Sequence, residues 1–182
     1  GRTGTMFGLQ HWNVEPDMIQ FAKGITSGYF PLGGIGISDE IYQTMTESET
    51  AWMHAYTYSS HPVGCSVGLA MLDLIEKEDF TTQARDKGAR LLTNLKDTLG
   101  DHPNVGDVRG LGMMCAVEIV KDQSTGEEFD ASEKIGPKVH QAGVQRGLFS
   151  RVRGDVYCLA PPIITNEQQL DQIVDILNDS IK

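Results

Sequence analysis

The sequence predicts an α/β fold in two parts. Residues 1–75 alternate short apolar strands with helices around a group of glycines, and residues 76–182 combine short strands with covering helices. The chain has 182 residues with 40% hydrophobic and 22% charged content, which is typical of one globular domain or one domain with a smaller appendage. It opens on loop-like Gly1-Arg2-Thr3-Gly4 with no preceding strand. We therefore expect the first part to be the end of a larger domain and the second to be a small α/β domain.

The elements of the first part follow from apolar runs and capping residues. After a loop over residues 1–15, Met18–Ala22 is suited to a buried strand, and Ile35–Ser38 reads as another strand. The glycines between them favour positive φ or a close approach to a ligand, or they form a flexible loop: Gly24, Gly28, Gly33, Gly34. Ser38 or Asp39 is expected to cap a helix through Met45. Pro62 is expected to begin a helix to Glu78, capped by Ser60 or His61.

The second part begins with an amphipathic helix from about Thr81 to Leu99, whose stripe is Ala84, Gly88, Leu91, Leu92, Leu95 and Leu99. Extended segments at Val105–Arg109 and Met113–Val120 surround Gly110-Leu111-Gly112. A helix is expected over residues 132–147, and its buried face is expected to carry Ile135, Val139, Ala142 and Val144. Short strands are expected at Leu148–Ser150 and Val156–Leu159, and Thr165 or Asn166 is expected to cap a final helix.

Charge and spacing exclude several classes of site. A net charge of −10 disfavours nucleic acid and anionic membrane as partners, because both require a basic surface. The apolar runs are too short to span a bilayer. The cysteines Cys65, Cys115 and Cys158 have no metal-like spacing and are expected to be reduced core residues, with the cytoplasm as compartment. The histidines show no zinc-binding pattern, so no metal is expected.

Lys23 is the residue with the clearest chemical potential. It follows the apolar run Met18–Ala22, precedes the glycine-rich stretch, and is the only lysine before Lys77. An amine that emerges from a buried strand is desolvated, which favours its neutral, nucleophilic form. Local context alone also allows a strand-end lysine that reaches solvent.

Several motifs, taken in order, resemble the class III (omega) aminotransferases, which are pyridoxal-phosphate enzymes of fold type I. The resemblance covers essentially the whole chain. It rests on Gly1-Arg2-Thr3-Gly4, Pro16-Asp17 through Ala22-Lys23-Gly24 to Leu32-Gly33, Thr57-Tyr58-Ser59-Ser60-His61-Pro62, Arg109-Gly110-Leu111-Gly112, and Gly154-Asp155 with Ala160-Pro161-Pro162. It implies that residues 1–75 end the cofactor-binding large domain and that residues 76–182 form the small domain.

The resemblance also implies residue roles. Lys23 would form the Schiff base with pyridoxal phosphate and shuttle the substrate proton. Thr57 would donate its hydroxyl to the cofactor phosphate of a neighbouring subunit, which implies a homodimer. Arg151 would receive the substrate carboxylate, with Arg153 as a competing candidate. Arg109 would order the small domain.

The reaction implied is transfer of an amino group from an amine or omega-amino acid to a keto acid. Tyr58-Ser59-Ser60-His61-Pro62 and Gly28-Tyr29-Phe30-Pro31 are more similar to pyruvate-using amine, beta-alanine or taurine transaminases than to the ornithine and GABA branch. Alternatives are an aminomutase, a dialkylglycine decarboxylase, or a non-catalytic fragment serving dimerisation.

In the family, the aspartate on the pyridinium nitrogen and the glycine-rich phosphate turn lie upstream of residue 1. The chain is therefore expected to need the N-terminal half of the enzyme as its partner and to be inactive alone.

Overall fold

A computed structural model describes residues 1–49 and 53–182, which form two compact units. Leu9–Asp79 form one unit, here called the lysine unit because it contains Lys23. Gly1–Gly8 and Phe80–Lys182 form the other, called the sheet unit. The predicted polar connection over residues 47–61 is described except for residues 50–52.

The lysine unit is built on a two-stranded antiparallel sheet and two helices. Strand β1 (Met18–Phe21) pairs with β2 (Gly34–Ile37), so that Phe21 lies opposite Gly34. The helices are α1 (Asp39–Glu47) and α2 (Pro62–Lys77), and short 3-10 helices occupy Gly8–Trp12 and Lys23–Ile25. The predicted strands and helices of this region are thereby confirmed. Ser38 caps α1 by accepting a hydrogen bond from the Ile41 amide, at 3.4 Å.

The expected burial of the strand before Lys23 is wrong for the described chain. Met18 on β1 is 63% exposed and Ile35 on β2 is 61% exposed. A two-stranded sheet buries little side-chain area by itself and leaves a free edge on each strand. An apolar run predicts a strand, but its burial depends on what packs against it.

The sheet unit has a four-stranded antiparallel sheet in the order β3-β4-β6-β5. The strands are β3 (Val105–Leu111), β4 (Met114–Ile119), β5 (Arg151–Arg153) and β6 (Val156–Leu159). Three helices accompany it, namely α3 (Phe80–Leu99), α4 (Ile135–Gln145) and α5 (Glu167–Ile181), with a 3-10 turn at Ala131–Glu133.

One hydrophobic core holds the sheet unit together. Cys115, Val117 and Ile119 alternate along β4 and point inward, as their period-two spacing predicts. The stripe of α3 packs on this core and is buried at Ala84, Gly88, Leu91, Leu95 and Leu99. Helix α5 adds Leu170, Val174 and Leu177. Its N-terminus carries a capping box formed by Asn166 and Gln169, which confirms Asn166 as the cap.

Three expectations for the sheet unit and one for a cysteine are corrected. The predicted helix over 132–147 begins only at Ile135, because Lys134 adopts a left-handed conformation, with φ 52°. Val144 is 42% exposed on the outer face of α4. The strand expected at 148–150 lies at β5, because the Gly154–Asp155 turn fixes which residues pair with β6. Cys115 is buried as expected, but Cys65 is exposed on α2.

Candidate active site

Lys23 lies just after β1, at the first residue of the 3-10 turn Lys23–Ile25. Its φ of 53° is left-handed, which is uncommon for a residue with a side chain. The side chain is exposed and pairs with no carboxylate of the described residues. The desolvation predicted for its amine is therefore not supplied by the described part of the chain.

An open cleft of about 610 Å³ surrounds Lys23. The two strands form its walls, and Tyr56 contributes an aromatic ring; the lining residues are Gln20, Phe21, Ala22, Lys23, Gly33, Gly34, Ile35 and Tyr56. The register of the strands makes this shape, since the ring of Phe21 fills the space where a side chain at Gly34 would begin, 2.5 Å from a Cβ built there. No carboxylate is among the lining residues.

These residues fit one wall of a pyridoxal-phosphate site. Attachment of that cofactor requires an accessible primary amine, and Lys23 presents its amine at an open cleft between apolar walls and a tyrosine. A group that pairs with the pyridinium nitrogen would have to come from outside the described lining residues.

Thr57 is exposed and opens the turn Thr57–Ser60, which leads into α2. The turn is held by the Tyr56 amide, which donates to Ser59 Oγ at 3.3 Å, and by Ser60, whose φ is 57°. Tyr56, next to Thr57, lines the cleft of Lys23, whereas Thr57 is not among the lining residues of the described chain.

The loop that follows Lys23 is seated on α2. A Cβ at Gly64 would lie 2.9 Å from the ring of Phe30, and a Cβ at Gly68 would lie 3.2 Å from Leu32. Thr26, which sequence reasoning did not single out, is buried and donates its hydroxyl to the Phe30 carbonyl at 2.6 Å. This hydrogen bond joins the two ends of the segment from Thr26 to Phe30, and no local sequence pattern predicts it.

Arg151 and Arg153 lie on β5, opposite Cys158 and Val156 of β6. They occupy alternate positions, so their guanidinium groups share the exposed face, and neither has an ion-pair partner in the described chain. Both remain available to receive a carboxylate.

Arg109 has a different environment. It pairs with Asp107 at 2.7 Å and with Glu118 at 2.6 Å, within its own sheet. The Glu118 contact links β3 to the neighbouring strand β4 within the sheet unit.

Three of the sequence motifs meet inside the sheet unit. The Arg2 carbonyl accepts from the Met113 amide at 2.9 Å, and Arg2 Nη1 donates to the Ala160 carbonyl at 2.6 Å. Gly112 is so close to the opening loop that a Cβ there would lie 2.5 Å from the Thr3 carbonyl carbon. The opening glycine-arginine loop, the Gly110–Gly112 turn and the end of β6 therefore form one packed cluster.

No described helix combines the length and apolarity needed to cross a membrane. No group of His, Cys, Asp and Glu in residues 1–49 and 53–182 has an arrangement that could hold a metal ion.

Comparison with known proteins identifies the family. Residues 1–181 match the family described as aminotransferase class-III. The chain is 40% identical to a diaminobutyrate–2-oxoglutarate transaminase of Halomonas elongata, covering 96% of this chain and 38% of that protein. It is 35% identical to a putrescine–pyruvate aminotransferase of Pseudomonas aeruginosa, covering 97% and 38% respectively.

Solved structures agree. An (S)-enantioselective omega-transaminase from Thermomicrobium roseum superimposes with a TM-score of 0.92 at 44% identity, over 100% of this chain and 40% of that one. A transaminase from a marine Virgibacillus gives 0.95 at 38% identity, over 100% and 42%. The chain thus spans about two fifths of the length of the relatives it matches. Its fold is that of the C-terminal part of a fold type I transferase, and the chain belongs to the class III aminotransferases, a family of pyridoxal-phosphate enzymes.

Proposed function

We propose that the chain carries the cofactor lysine of an aminotransferase that moves an amino group from an amine or omega-amino acid to a keto acid, with pyruvate as the preferred acceptor. The observation that supports this most is Lys23, an exposed amine at a cleft of about 610 Å³ without a paired carboxylate in the described chain. Membership of the class III family supports the reaction class.

Pyridoxal phosphate, when bound, would supply the carbonyl that takes up the amino group and the ring that accommodates the electron pair of the substrate C–H bond. Lys23 Nζ would hold the cofactor covalently between turnovers. After the substrate amine displaces it, Nζ would be a free base that takes the proton from the carbon beside the substrate nitrogen and delivers it to the cofactor carbon bonded to that nitrogen. Closure of the site by residues outside the described walls would desolvate this amine and favour its neutral form.

Thr57 would donate its hydroxyl to the cofactor phosphate, from the neighbouring subunit of a homodimer. The placement of Thr57 in an exposed turn before α2 supports a contact with a group outside the chain's own packing. Arg151 would bind the substrate carboxylate with its forked guanidinium, and Arg153, two residues along the same strand face, is the alternative. The free state of both guanidinium groups in the described chain supports either assignment.

We assign residues 1–75 to the end of the large domain and 76–182 to the small domain. The separation of units between Asp79 and Phe80 supports a division between α2 and α3, whereas Gly1–Gly8 group with Phe80–Lys182 rather than with the rest of residues 1–75. The N-terminal half of the enzyme would complete the cofactor site, and the cytoplasm is the expected compartment for a chain whose cysteines are free.

The acceptor is proposed from motif similarity and from one named relative. The putrescine–pyruvate aminotransferase uses pyruvate by name, and the diaminobutyrate–2-oxoglutarate transaminase names the competing acceptor. Initial rates of the full-length enzyme with a primary amine donor and each keto acid decide between them. Turnover that requires 2-oxoglutarate would overturn the pyruvate assignment.

The role of Lys23 is tested by borohydride reduction of the full-length enzyme with pyridoxal phosphate, followed by peptide mapping. We expect the label on the peptide containing Lys23, because reduction makes the covalent link permanent. Lys23→Ala should abolish the label, and Lys77→Ala at the end of α2 is the matched control that should retain it. A fully folded enzyme that carries no label at Lys23 would favour a non-catalytic fragment that serves dimerisation.

A mutase or decarboxylase would retain the label and differ in products. Release of an amino acid made from the added keto acid identifies the aminotransferase. Carbon dioxide or an isomerised amino acid as the main product identifies the alternatives.

A further inference from the structure

His61 has an unusual position in the lysine unit. It is the N-cap residue of α2, yet its side chain makes no capping hydrogen bond. Its Nδ1 atom is buried and has no hydrogen-bond partner among the described residues. Neither helix capping nor a described polar contact therefore accounts for an imidazole here.

The ring of His61 instead contacts two aromatic side chains. The Phe30 ring lies 5.1 Å away between centroids, inclined at 31°, and the Tyr58 ring lies 6.3 Å away at 54°. Phe30 belongs to the loop that carries Lys23, and Tyr58 adjoins Thr57 in the turn before α2. One imidazole thus contacts both segments that the proposed function assigns to the cofactor.

Phe30 is also linked to Lys23 through two hydrogen bonds of Thr26. Its carbonyl accepts the buried Thr26 hydroxyl at 2.6 Å, and the Thr26 amide is bonded to the Lys23 carbonyl at 3.2 Å. On its other side, Phe30 packs against Gly64 of α2, where a Cβ would come within 2.9 Å of the ring. A displacement of Phe30 therefore reaches the backbone of Lys23 through short contacts.

We propose that His61 is a positioning residue that sets the spacing between the Lys23 loop and the Thr57 turn through its ring contacts with Phe30 and Tyr58. This inference rests on the proposed function, in which Lys23 holds the cofactor and Thr57 binds its phosphate. Where Thr57 serves the neighbouring subunit, the same contact couples the lysine of one subunit to the phosphate site of the other.

The test compares the affinity of the full-length enzyme for pyridoxal phosphate with its affinity for pyridoxal, which lacks the phosphate. The dissociation constant for pyridoxal divided by that for pyridoxal phosphate measures the contribution of phosphate binding, separately from attachment at Lys23. We expect Phe30→Leu and His61→Leu each to reduce this ratio about twofold to tenfold, the range that loss of one aromatic contact produces. A purely structural role would weaken both ligands equally, and an unchanged ratio would overturn the proposal.

Tyr29→Leu is the matched control for Phe30→Leu. Tyr29 is the preceding residue of the same loop and is 86% exposed. We expect Phe30→Leu and His61→Leu together to reduce the ratio by less than the product of their single effects, since both remove one contact. Tyr29→Leu and His61→Leu should combine as independent changes. Independent effects of Phe30 and His61 would contradict the proposal.

Mixed dimers test the coupling between subunits. One subunit is unaltered, and the other carries Lys23→Ala with Phe30→Leu, so that only the unaltered subunit can be labelled by borohydride. We expect labelling at limiting pyridoxal phosphate to fall relative to a mixed dimer with Lys23→Ala alone, while labelling with pyridoxal stays equal. No fall would overturn the coupling. Absence of any label at Lys23 in the unaltered enzyme would instead overturn the proposed function itself.

Discussion

The sheet unit and the lysine unit differ in how far their apolar residues are buried. Every buried hydrophobic residue of the core cluster belongs to the sheet unit, from Ala84 to Leu177. In the described part of the lysine unit none of the large hydrophobics is fully buried, and Thr26 is its buried side chain of largest volume. The sheet unit thus encloses its own core, whereas the lysine unit presents apolar surface.

Large contiguous patches of exposed apolar surface are a common feature of interaction sites. The chain spans about two fifths of the length of its relatives. Lys23 lies on this exposed surface, at an open cleft. The two units therefore differ in that the sheet unit encloses a hydrophobic core, whereas the described residues of the lysine unit do not.

A matched pair of leucine truncations should show the largest contrast. Leu95→Ala removes a fully buried side chain from α3, and we expect it to lower the free energy of unfolding of the 182-residue chain by about 2–5 kcal/mol. Leu69→Ala removes a side chain of α2 that is 63% exposed, so its effect should stay within about 0.5 kcal/mol. Urea unfolding followed by circular dichroism measures both. Equal losses would refute the contrast between the units.

Alkaline pH should weaken the sheet unit through Cys115. Burial raises the pKa of the Cys115 thiol from 9.0 to about 11. Below pH 9 the thiol is protonated in both the folded and unfolded states, so it adds no pH dependence. Between pH 9 and 11 the unfolded state ionises first, and stability should fall by about 2–3 kcal/mol by pH 11.

The control for this effect is a second cysteine. Burial also raises the pKa of Tyr157, so the alkaline loss is compared between variants. Cys115→Ala should remove its share of the pH slope, whereas Cys65→Ala, at an exposed position of α2, should leave the slope unchanged. A slope unaffected by Cys115→Ala would show that the thiol does not titrate as its burial implies.

Glycine replacement sharpens the same comparison. A Cβ at Gly88 of α3 would lie 2.1 Å from the Gly112 carbonyl, so Gly88→Ala must push two backbones apart and should cost about 1–3 kcal/mol. Gly24 in the lysine unit has no atom within 4 Å of its Cβ position. Gly24→Ala should therefore change stability by no more than about 1 kcal/mol, with a gain as the favoured sign. Denaturation midpoints of the two variants provide the measurement.

Helices with an extended apolar stripe were predictable from the sequence. The stripe of α3 and the caps Ser38 and Asn166 carry their signal within a few residues. Strand β5 was predicted at the wrong residues because the sequence around Arg151 and Arg153 has no strand pattern of its own. These residues form a strand because the Gly154–Asp155 turn pairs them with β6. The left-handed Lys134 that delays α4 has no compositional signal at all.

In the candidate site, the position of Lys23 after a strand was predictable, but its exposure was not. Desolvation of an amine depends on groups from several segments, and the described residues provide only one wall. The contact of His61 with Phe30 was equally invisible, since it joins residues far apart in the sequence through the packing of a loop on α2. Motif order identified the family, while side-chain contacts between motifs required the structure.

The smallest expected contrast concerns helix caps. Asn166 begins α5 with a reciprocal capping box, in which its side chain accepts from the Gln169 amide at 2.9 Å. Ser38 begins α1 with a single bond of 3.4 Å, near the limit for a hydrogen bond. We expect Asn166→Ala to cost about 1 kcal/mol and Ser38→Ala about 0.5 kcal/mol.

Native-state hydrogen exchange reads the two helices separately, which global unfolding does not. Helix α5 is anchored to the core by Leu170 and Leu177, so its amides should be strongly protected from exchange. Loss of the cap should lower that protection. Amides of α1 should exchange quickly before and after Ser38→Ala, since none of its residues is buried in the described chain. Slower exchange of the α1 amides in the full-length enzyme would show that contacts from outside these 182 residues, rather than the cap, protect the helix.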